Sequence, residues 1–164
     1  MLLREELALL VELLKKCVPG ELSPEVFEAV AQVAVYPAVE FIPLRKIDER
    51  IEALLFERPI DDLMWPSMLH TPGTILRPTD MTYQAAFNRL YRDELMGLET
   101  DPPIFLGAEL SHNRRGACVL LEHLIVVTGK PTVGKFYDVE HLPESFIEEQ
   151  RLSLERAVAA YRNL

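Results

Sequence analysis

Strand-like segments occupy the middle of this 164-residue chain, between helical patterns at both ends. Two helical patterns precede a predicted β-hairpin at 39–59, and a third helix follows from Met81. Three strand segments then lead to a last helix from Pro143, and the β-branched run Ala117–Thr128 is the clearest of these strands. Helices that arrive from both sides of a sheet tend to cover both of its faces. The order therefore predicts one α+β domain with a layered core.

Composition and charge argue against nucleic-acid-binding, disulfide-stabilised and membrane-spanning proteins. A net charge of −9 argues against a surface that tracks nucleic-acid phosphates. Cys17 and Cys118 stand far apart, which favours a reducing compartment and gives no zinc or disulfide pattern. Charged residues from Arg4 onward interrupt the apolar N-terminus, so it matches neither a signal segment nor a membrane span. We expect a cytoplasmic protein that binds neither nucleic acid nor membrane.

The first 36 residues are predicted to form a helical extension. Pro19-Gly20 is expected to end the first helix, and Ser23 to cap a second one that reaches about Val35. Two alternatives follow for the wide apolar face of the first helix: it covers the chain's own sheet, which we favour, or it is a dimerisation arm that makes a homodimer. The apolar residues of that helix recur at alternating steps of four and three, at Leu3, Leu7, Leu10, Leu14 and Cys17.

Local signals place several element ends. Asp48-Glu49 marks the turn of the first hairpin, and Pro43 predicts an irregularity or an edge position in its first strand. Pro78-Thr79-Asp80 has the composition of a helix start, with Asp80 favoured as the N-cap. Gly97 is a candidate C′ glycine of that helix.

The sequence supports neither a phosphate-binding loop nor a histidine metal site. Gly129–Lys135 satisfies G-x-x-x-x-G-K, but Phe136 stands where a hydroxyl would hold Mg²⁺, and a strand rather than a helix follows. A hairpin turn is the better interpretation. The histidines lie in four separate segments without metal-binding spacing, at His70, His112, His123 and His141.

The segment Trp65–Leu98 carries the informative pattern. A tryptophan-bearing loop leads through Pro72-Gly73 to an acidic residue, and then to a helix that ends in Gly97-Leu98. This order resembles the Nudix family, and three further segments resemble its hairpin, its middle strands and its Leu-Pro-Glu turn: 41–58, 105–116 and 134–144. The resemblance implies a Nudix-like α/β/α sandwich with a mixed sheet at 37–164, after the helical extension at 1–36. It implies hydrolysis of phosphoanhydrides in nucleoside-diphosphate-linked or similar compounds, with Mg²⁺.

The family's box reads glycine, five residues, glutamate, seven residues, then Arg-Glu-aliphatic-any-Glu-Glu-any-Gly-aliphatic. Thr74 falls on its glycine and Asp80 on its first glutamate. One alignment of the helix then puts Asn88 on the arginine, and Arg92 and Asp93 on the paired glutamates. The other puts Arg89 on the arginine and Asp93-Glu94 on the paired glutamates, but leaves Leu90 at a glutamate position. The box is degenerate in both alignments.

These alignments give the site predictions. Asp93 and Glu94 are the predicted catalytic residues, and Asp80, Asp93 and Glu94 the predicted metal ligands. Arginines in the box oppose a metal, because a unit charge repels another about 4 Å away by on the order of 4 kcal/mol at an effective dielectric near 20. They permit direct phosphate binding instead, and the alternative is ordinary surface ion pairs. The predicted substrate-binding residues are Arg89, Arg92 and Arg115. A non-catalytic module that binds a nucleotide-like ligand, or serves in assembly, is the other function.

Overall fold

The computed structural model describes residues 3–17 and 22–164. The α-helices in these residues are α1 (Arg4–Leu14), α2 (Pro24–Ala31), α3 (Tyr83–Glu94) and α4 (Arg151–Tyr161), and a 3-10 turn at Glu148–Gln150 precedes α4. The strands are β1 (Tyr36–Ile47), β2 (Arg50–Glu57), β3 (Leu69–His70), β4 (Gly73–Ile75), β5 (Leu98–Thr100), β6 (Ile104–Asn113), β7 (Gly116–Gly129) and β8 (Lys135–Asp138). The predicted helix stop at Pro19-Gly20 lies outside the described residues.

Strands β1 and β7 form the centre of a mixed sheet. They run parallel from the pair Tyr36–Cys118 to the pair Leu44–Val126. Antiparallel partners flank them: β2 and then β8 beyond β1, and β5 and β6 beyond β7. One face packs against α4 and the other against α3, because alternate strand residues belong to two separate core clusters. The predicted α/β/α sandwich with a mixed sheet is confirmed.

Pro43 marks a change of partner in β1. On one side β1 pairs with β4 at Ala38–Glu40 and with β2 from Leu44 onward, so Pro43 lies between the two ladders. A proline is tolerated there because it has no N–H to donate. The expected irregularity is confirmed. The edge position is wrong, because β7 pairs with β1 along the other side.

The N-cap of helix α3 lies two residues later in the sequence than predicted. Its N-cap is Thr82, whose hydroxyl accepts a hydrogen bond from the Ala85 N–H. Asp80 instead accepts from the N–H of Arg77, which closes a turn before the helix. The C-cap is Leu95, so Met96 takes the C′ position, and Gly97, with φ of +90°, stands one residue beyond it rather than at C′ as predicted.

Two expectations about the C-terminal third are wrong. The last helix begins at Arg151 instead of Pro143, because the preceding segment hydrogen-bonds with β3: the Leu69 N–H donates to Ser145, and the Ile147 N–H donates to Leu69. The segment 129–135 is not a hairpin turn, because β8 pairs with β2 rather than with β7. Both differences arise from pairing between segments that are distant in sequence.

The two N-terminal helices differ in their contacts. Ser23 caps α2 as predicted, and α2 ends at Ala31 against the β6–β7 turn, where a side chain at Gly116 would collide with the Ala31 carbonyl. By contrast, no residue of α1 is buried. The favoured interpretation, in which the first helix covers the chain's own sheet, is therefore wrong for α1. No helix in the described part of the chain is long and apolar enough to cross a membrane.

Candidate functional site

Arg89 ties α3 to the loop before it. Its guanidinium donates to Asp80 at 2.7 Å and to the carbonyl of Ile75 at 3.1 Å, and it also contacts the Thr74 hydroxyl. The side chains of Arg89 and Asp80 are only 13% and 11% exposed. Arg89 therefore organises the loop, and its donors on this side are already engaged.

Asp80 is held in its charged form by these contacts. Burial works against ionisation, but hydrogen bonds from the Arg77 N–H and from Arg89 keep the pKa of Asp80 below its ordinary value. Breaking this nearly buried pair would leave the Arg89 charge without a partner, which is costly. Asp80 is thus poorly placed to become a metal ligand.

Asp93 forms a different kind of pair. Its carboxylate accepts from Arg92 at 2.7 Å, and both side chains are more than half exposed. The hydrogen bond from Arg92 lowers the pKa of Asp93. An exposed pair of this kind contributes little to stability, because water screens both charges. Asp93 can therefore exchange Arg92 for a ligand at little cost.

Glu94 differs from Asp80 and Asp93 because, among the described residues, no arginine or lysine forms an ion pair with it. It is the last residue of α3 and is half-buried, and the backbone of Gly73 lies near its carboxylate. Burial raises the pKa of Glu94 to about 7, Arg58 opposes this rise, and Asp93 adds to it. Its Oε2 is buried and finds no hydrogen-bond partner within residues 3–17 and 22–164.

Arg58 belongs to the surroundings of Glu94, and the sequence interpretation missed it. It ends the hairpin and forms an ion pair with Asp62, whose other oxygen accepts from the N–H groups of Met64 and Trp65. Arg58 therefore supplies positive charge near Glu94 from a fixed loop. The available signal was an arginine directly after a strand and before Pro59.

The structure does not place Arg115 near Glu94 and Arg58. Its guanidinium donates to Glu28 of α2 at 2.7 Å and lies over the rings of Phe27 and Trp65, at 5.3 and 5.2 Å from their centres. The Arg115 side chain is only 15% exposed. Its observed role is to fasten α2 to the end of the sheet, and binding of a substrate by Arg115 stays a prediction.

The predicted metal ligands do not form a cluster. Within the described ranges, no group of three or more His, Cys, Asp or Glu side chains is placed to hold a metal ion. Magnesium, however, is commonly held through one or two carboxylates together with substrate phosphates and water. Glu94, whose buried Oε2 is unpaired among the described residues, and the weakly paired Asp93 could supply that smaller ligand set, and metal binding by Asp80, Asp93 and Glu94 stays a prediction.

Comparison with known proteins identifies the fold. The chain matches an Ap4A hydrolase from C. elegans with a TM-score of 0.58 at 15% identity, over 78% of this chain and 99% of the other. It matches a mutT/nudix family protein from Listeria innocua with a TM-score of 0.60 at 15% identity, over 78% and 94% of the two chains. The chain has the Nudix fold.

A third Nudix structure extends the comparison. The NUDIX domain of Shewanella oneidensis NrtR, solved with ADP ribose, matches 92% of this chain and 97% of that domain, with a TM-score of 0.56 at 13% identity. No protein-family model and no curated protein matches the sequence. At these identities the shared property is the Nudix fold, and the activity has to be argued from the residues around Glu94.

Proposed function

We propose that this Nudix-fold chain hydrolyses a phosphoanhydride bond in a nucleoside-diphosphate-linked or similar compound, with Glu94 as the central carboxylate. The observation that carries the proposal is the state of Glu94: it is half-buried, its buried Oε2 has no hydrogen-bond partner among the described residues, and its pKa is raised to about 7. A carboxylate with a pKa near neutrality accepts a proton well and is still largely ionised slightly above pH 7.

Each neighbouring group has a defined part in the proposed reaction. Glu94 takes a proton from water as the water oxygen bonds to phosphorus, and the bond from phosphorus to the bridging oxygen breaks. The backbone of Gly73 lies near the Glu94 carboxylate, and Arg58 offsets negative charge nearby. Glu94, with Asp93 once Arg92 releases it, would hold Mg²⁺. When bound, the ion neutralises charge on the substrate phosphates.

The substrate class follows from structural neighbours that have this fold. The two neighbours whose names state a ligand or substrate are an Ap4A hydrolase and a domain complexed with ADP ribose. In both compounds a nucleoside is linked through phosphates to a second sugar-bearing group. The contact of Arg89 with Asp80 also supports the second alignment of the box, in which Asp93 and Glu94 take the positions of the paired glutamates.

A second function is favoured by the arginines. Arg89 engages Asp80, and Arg92 engages Asp93, so two of the three predicted metal ligands are already neutralised by cations. Arg92 is exposed and could transfer from Asp93 to a ligand phosphate. In that case the surface around Arg92 would bind a nucleotide-like ligand without metal and without turnover.

The test is turnover of a panel that includes Ap4A, ADP-ribose and nucleoside-diphosphate sugars, with Mg²⁺ or Mn²⁺, followed by chromatographic detection of products. We expect Glu94→Gln to lower kcat by about 100-fold or more, because it removes the proton acceptor. The matched control is Glu99→Gln, an exposed glutamate on β5, which should change kcat little. The rate should rise as pH increases through about 7, as Glu94 ionises.

Turnover that survives Glu94→Gln would remove Glu94 from the reaction. No turnover on the whole panel, together with ligand-induced thermal stabilisation that persists in EDTA and is lost in Arg92→Ala, would establish the binding function instead.

A further inference from the structure

His70 carries a ring nitrogen that forms no hydrogen bond within the described part of the chain. Its other nitrogen, Nδ1, lies 2.7 Å from the carbonyl oxygen of Thr71. A carbonyl oxygen only accepts hydrogen bonds, so Nδ1 holds the proton of the neutral ring, and Nε2 is a bare acceptor. Burial, and after it the charge of Arg58, lowers the pKa of His70 to about 4, so the ring is neutral at pH 7.

His70 lies on the α3 face of the sheet, beside the surroundings of Glu94. It is the register partner of Phe56 across β3 and β2, and the two rings are 6.2 Å apart. Phe56 packs in the same core cluster as Leu95, which directly follows Glu94 in the sequence. Arg58 affects the pKa of both His70 and Glu94, so its charge lies within electrostatic reach of both side chains. The bare nitrogen of His70 therefore borders the candidate site.

We propose that Nε2 of His70 accepts a hydrogen bond from a ribose hydroxyl of the substrate, and that the site therefore selects ribonucleosides over deoxyribonucleosides. The inference rests on the proposed function, because it concerns the substrate of that same reaction. The ionised phosphates of a phosphoanhydride only accept hydrogen bonds, so a bare nitrogen cannot bind them, whereas a guanidinium such as that of Arg58 attracts them. The donors nearest to those phosphates in a nucleoside-diphosphate-linked compound are the hydroxyls of its ribose.

A fixed acceptor discriminates against an analogue that lacks the matching donor, because the acceptor then has no partner in the complex. His70 cannot turn its bare nitrogen into a donor without giving up the contact of Nδ1 with the Thr71 carbonyl. His70 is only half-buried, so water can replace part of the lost hydrogen bond. We therefore expect a preference of about tenfold, which is the size of one ordinary hydrogen bond.

The experiment compares kcat/KM for Ap4A and ADP-ribose with kcat/KM for their counterparts built from 2′-deoxyadenosine and 3′-deoxyadenosine. The unaltered chain should prefer the hydroxylated compound to at least one counterpart by about tenfold. His70→Asn keeps an N–H group near the position of Nδ1 but has no atom at that of Nε2, so the preference should fall to about twofold or less. His70→Gln places an amide oxygen near the position of Nε2 and should keep most of the preference.

The matched control is His112→Asn, the same substitution at an exposed histidine on β6. It should keep both the preference and the kcat/KM of the unaltered chain. Thermal unfolding checks that the variants keep the fold. Should His70→Asn fail to fold, nitrogen NMR of the unaltered chain provides the test: it should show a protonated Nδ1 and a bare Nε2 in His70, and Ap4A should shift the Nε2 resonance more than its deoxy counterparts do.

Three results would overturn this proposal while leaving the reaction at Glu94 intact. They are turnover with equal kcat/KM for the hydroxylated and deoxy compounds, a preference that His70→Asn leaves unchanged, and an Nε2 of His70 that carries the proton. If the chain binds these compounds without turnover, the proposed reaction fails, and the same preferences are measured as ratios of dissociation constants. Absence of both turnover and binding would overturn the reaction and the role of His70 together.

Discussion

The two faces of the central strands hold opposite kinds of core. On the α3 side, Phe41 of β1 lies 4.8 Å from the ring of Phe87 and 5.4 Å from that of Tyr91, and 5.9 Å from that of His123 on β7. Burial lowers the pKa of His123, so the imidazole is held neutral among these rings. This face is an aromatic core whose one histidine behaves as part of the packing.

On the α4 side, the residues next in sequence are carboxylates. Glu40 and Glu122 are register partners on β1 and β7, and both are almost fully buried. Glu122 accepts from Ser153 and from Arg156, each at 2.6 Å, whereas Glu40 accepts only from the Thr71 hydroxyl among the described residues. Burial raises the pKa of Glu40 to about 8, and the neighbouring Glu122 adds to the rise.

The comparison shows that one strand can support two different environments because its side chains alternate between faces. The aromatic face gains stability from packing. The carboxylate face depends on a few specific hydrogen bonds and on Glu40 keeping its proton. Substitutions on the two faces should therefore change the stability by different amounts and with different pH dependence.

The largest effect is expected for Phe41→Ala, on the aromatic face. It should lower the free energy of unfolding by about 3–5 kcal/mol, because it leaves a cavity among fully buried rings. Phe105→Ala is the control, since Phe105 faces the same side but is 58% exposed. Chemical denaturation measures both. Similar losses in the two variants would mean that Phe41 does not organise this face.

An intermediate effect is expected for Glu40→Gln, and it should depend on pH. In the folded protein the pKa of Glu40 is raised from 4.5 to about 8, so the folded state keeps a proton that the unfolded state releases. The stability of the unaltered chain should therefore fall as the pH rises from 4.5 to about 8.

Glu40→Gln should flatten that decline, because glutamine does not titrate. Denaturation at pH 5 and pH 9 would measure it, with the exposed Glu99→Gln as the control that keeps the decline. An equal pH dependence in the unaltered chain and Glu40→Gln would refute a protonated Glu40.

The smallest effects separate the polar contacts of the two faces. Thr71→Val should cost about 1–3 kcal/mol, because it leaves the buried Glu40 without its hydrogen bond. Tyr83→Phe removes a long contact, 3.4 Å from the phenol oxygen to His123, at a residue that is 40% exposed. It should cost less than about 0.5 kcal/mol, since water can replace the contact. Equal losses would contradict the contrast between the faces.

Much of the fold was predictable because its signals are local. The hairpin turn at Asp48-Glu49, the Ser23 cap and the apolar, β-branched run of β7 depend on residues only a few positions apart. Glu94 was also placed correctly on α3, since helical spacing requires no distant partner. The surroundings of its carboxylate were not predictable, because they include Gly73 and Arg58 from other segments of the chain.

The sequence by itself determined the order of the main helices and long strands, the alternating faces of the first hairpin, and the helix that carries Asp93 and Glu94. The tertiary structure alone decided which groups meet: Arg89 with Asp80, Arg115 with Glu28, and β8 with β2. The physical reason is the separation along the sequence over which each kind of interaction acts. Periodicity and capping act over a few residues, whereas ion pairs and strand partners are chosen among segments that only the folded chain brings within a few ångströms.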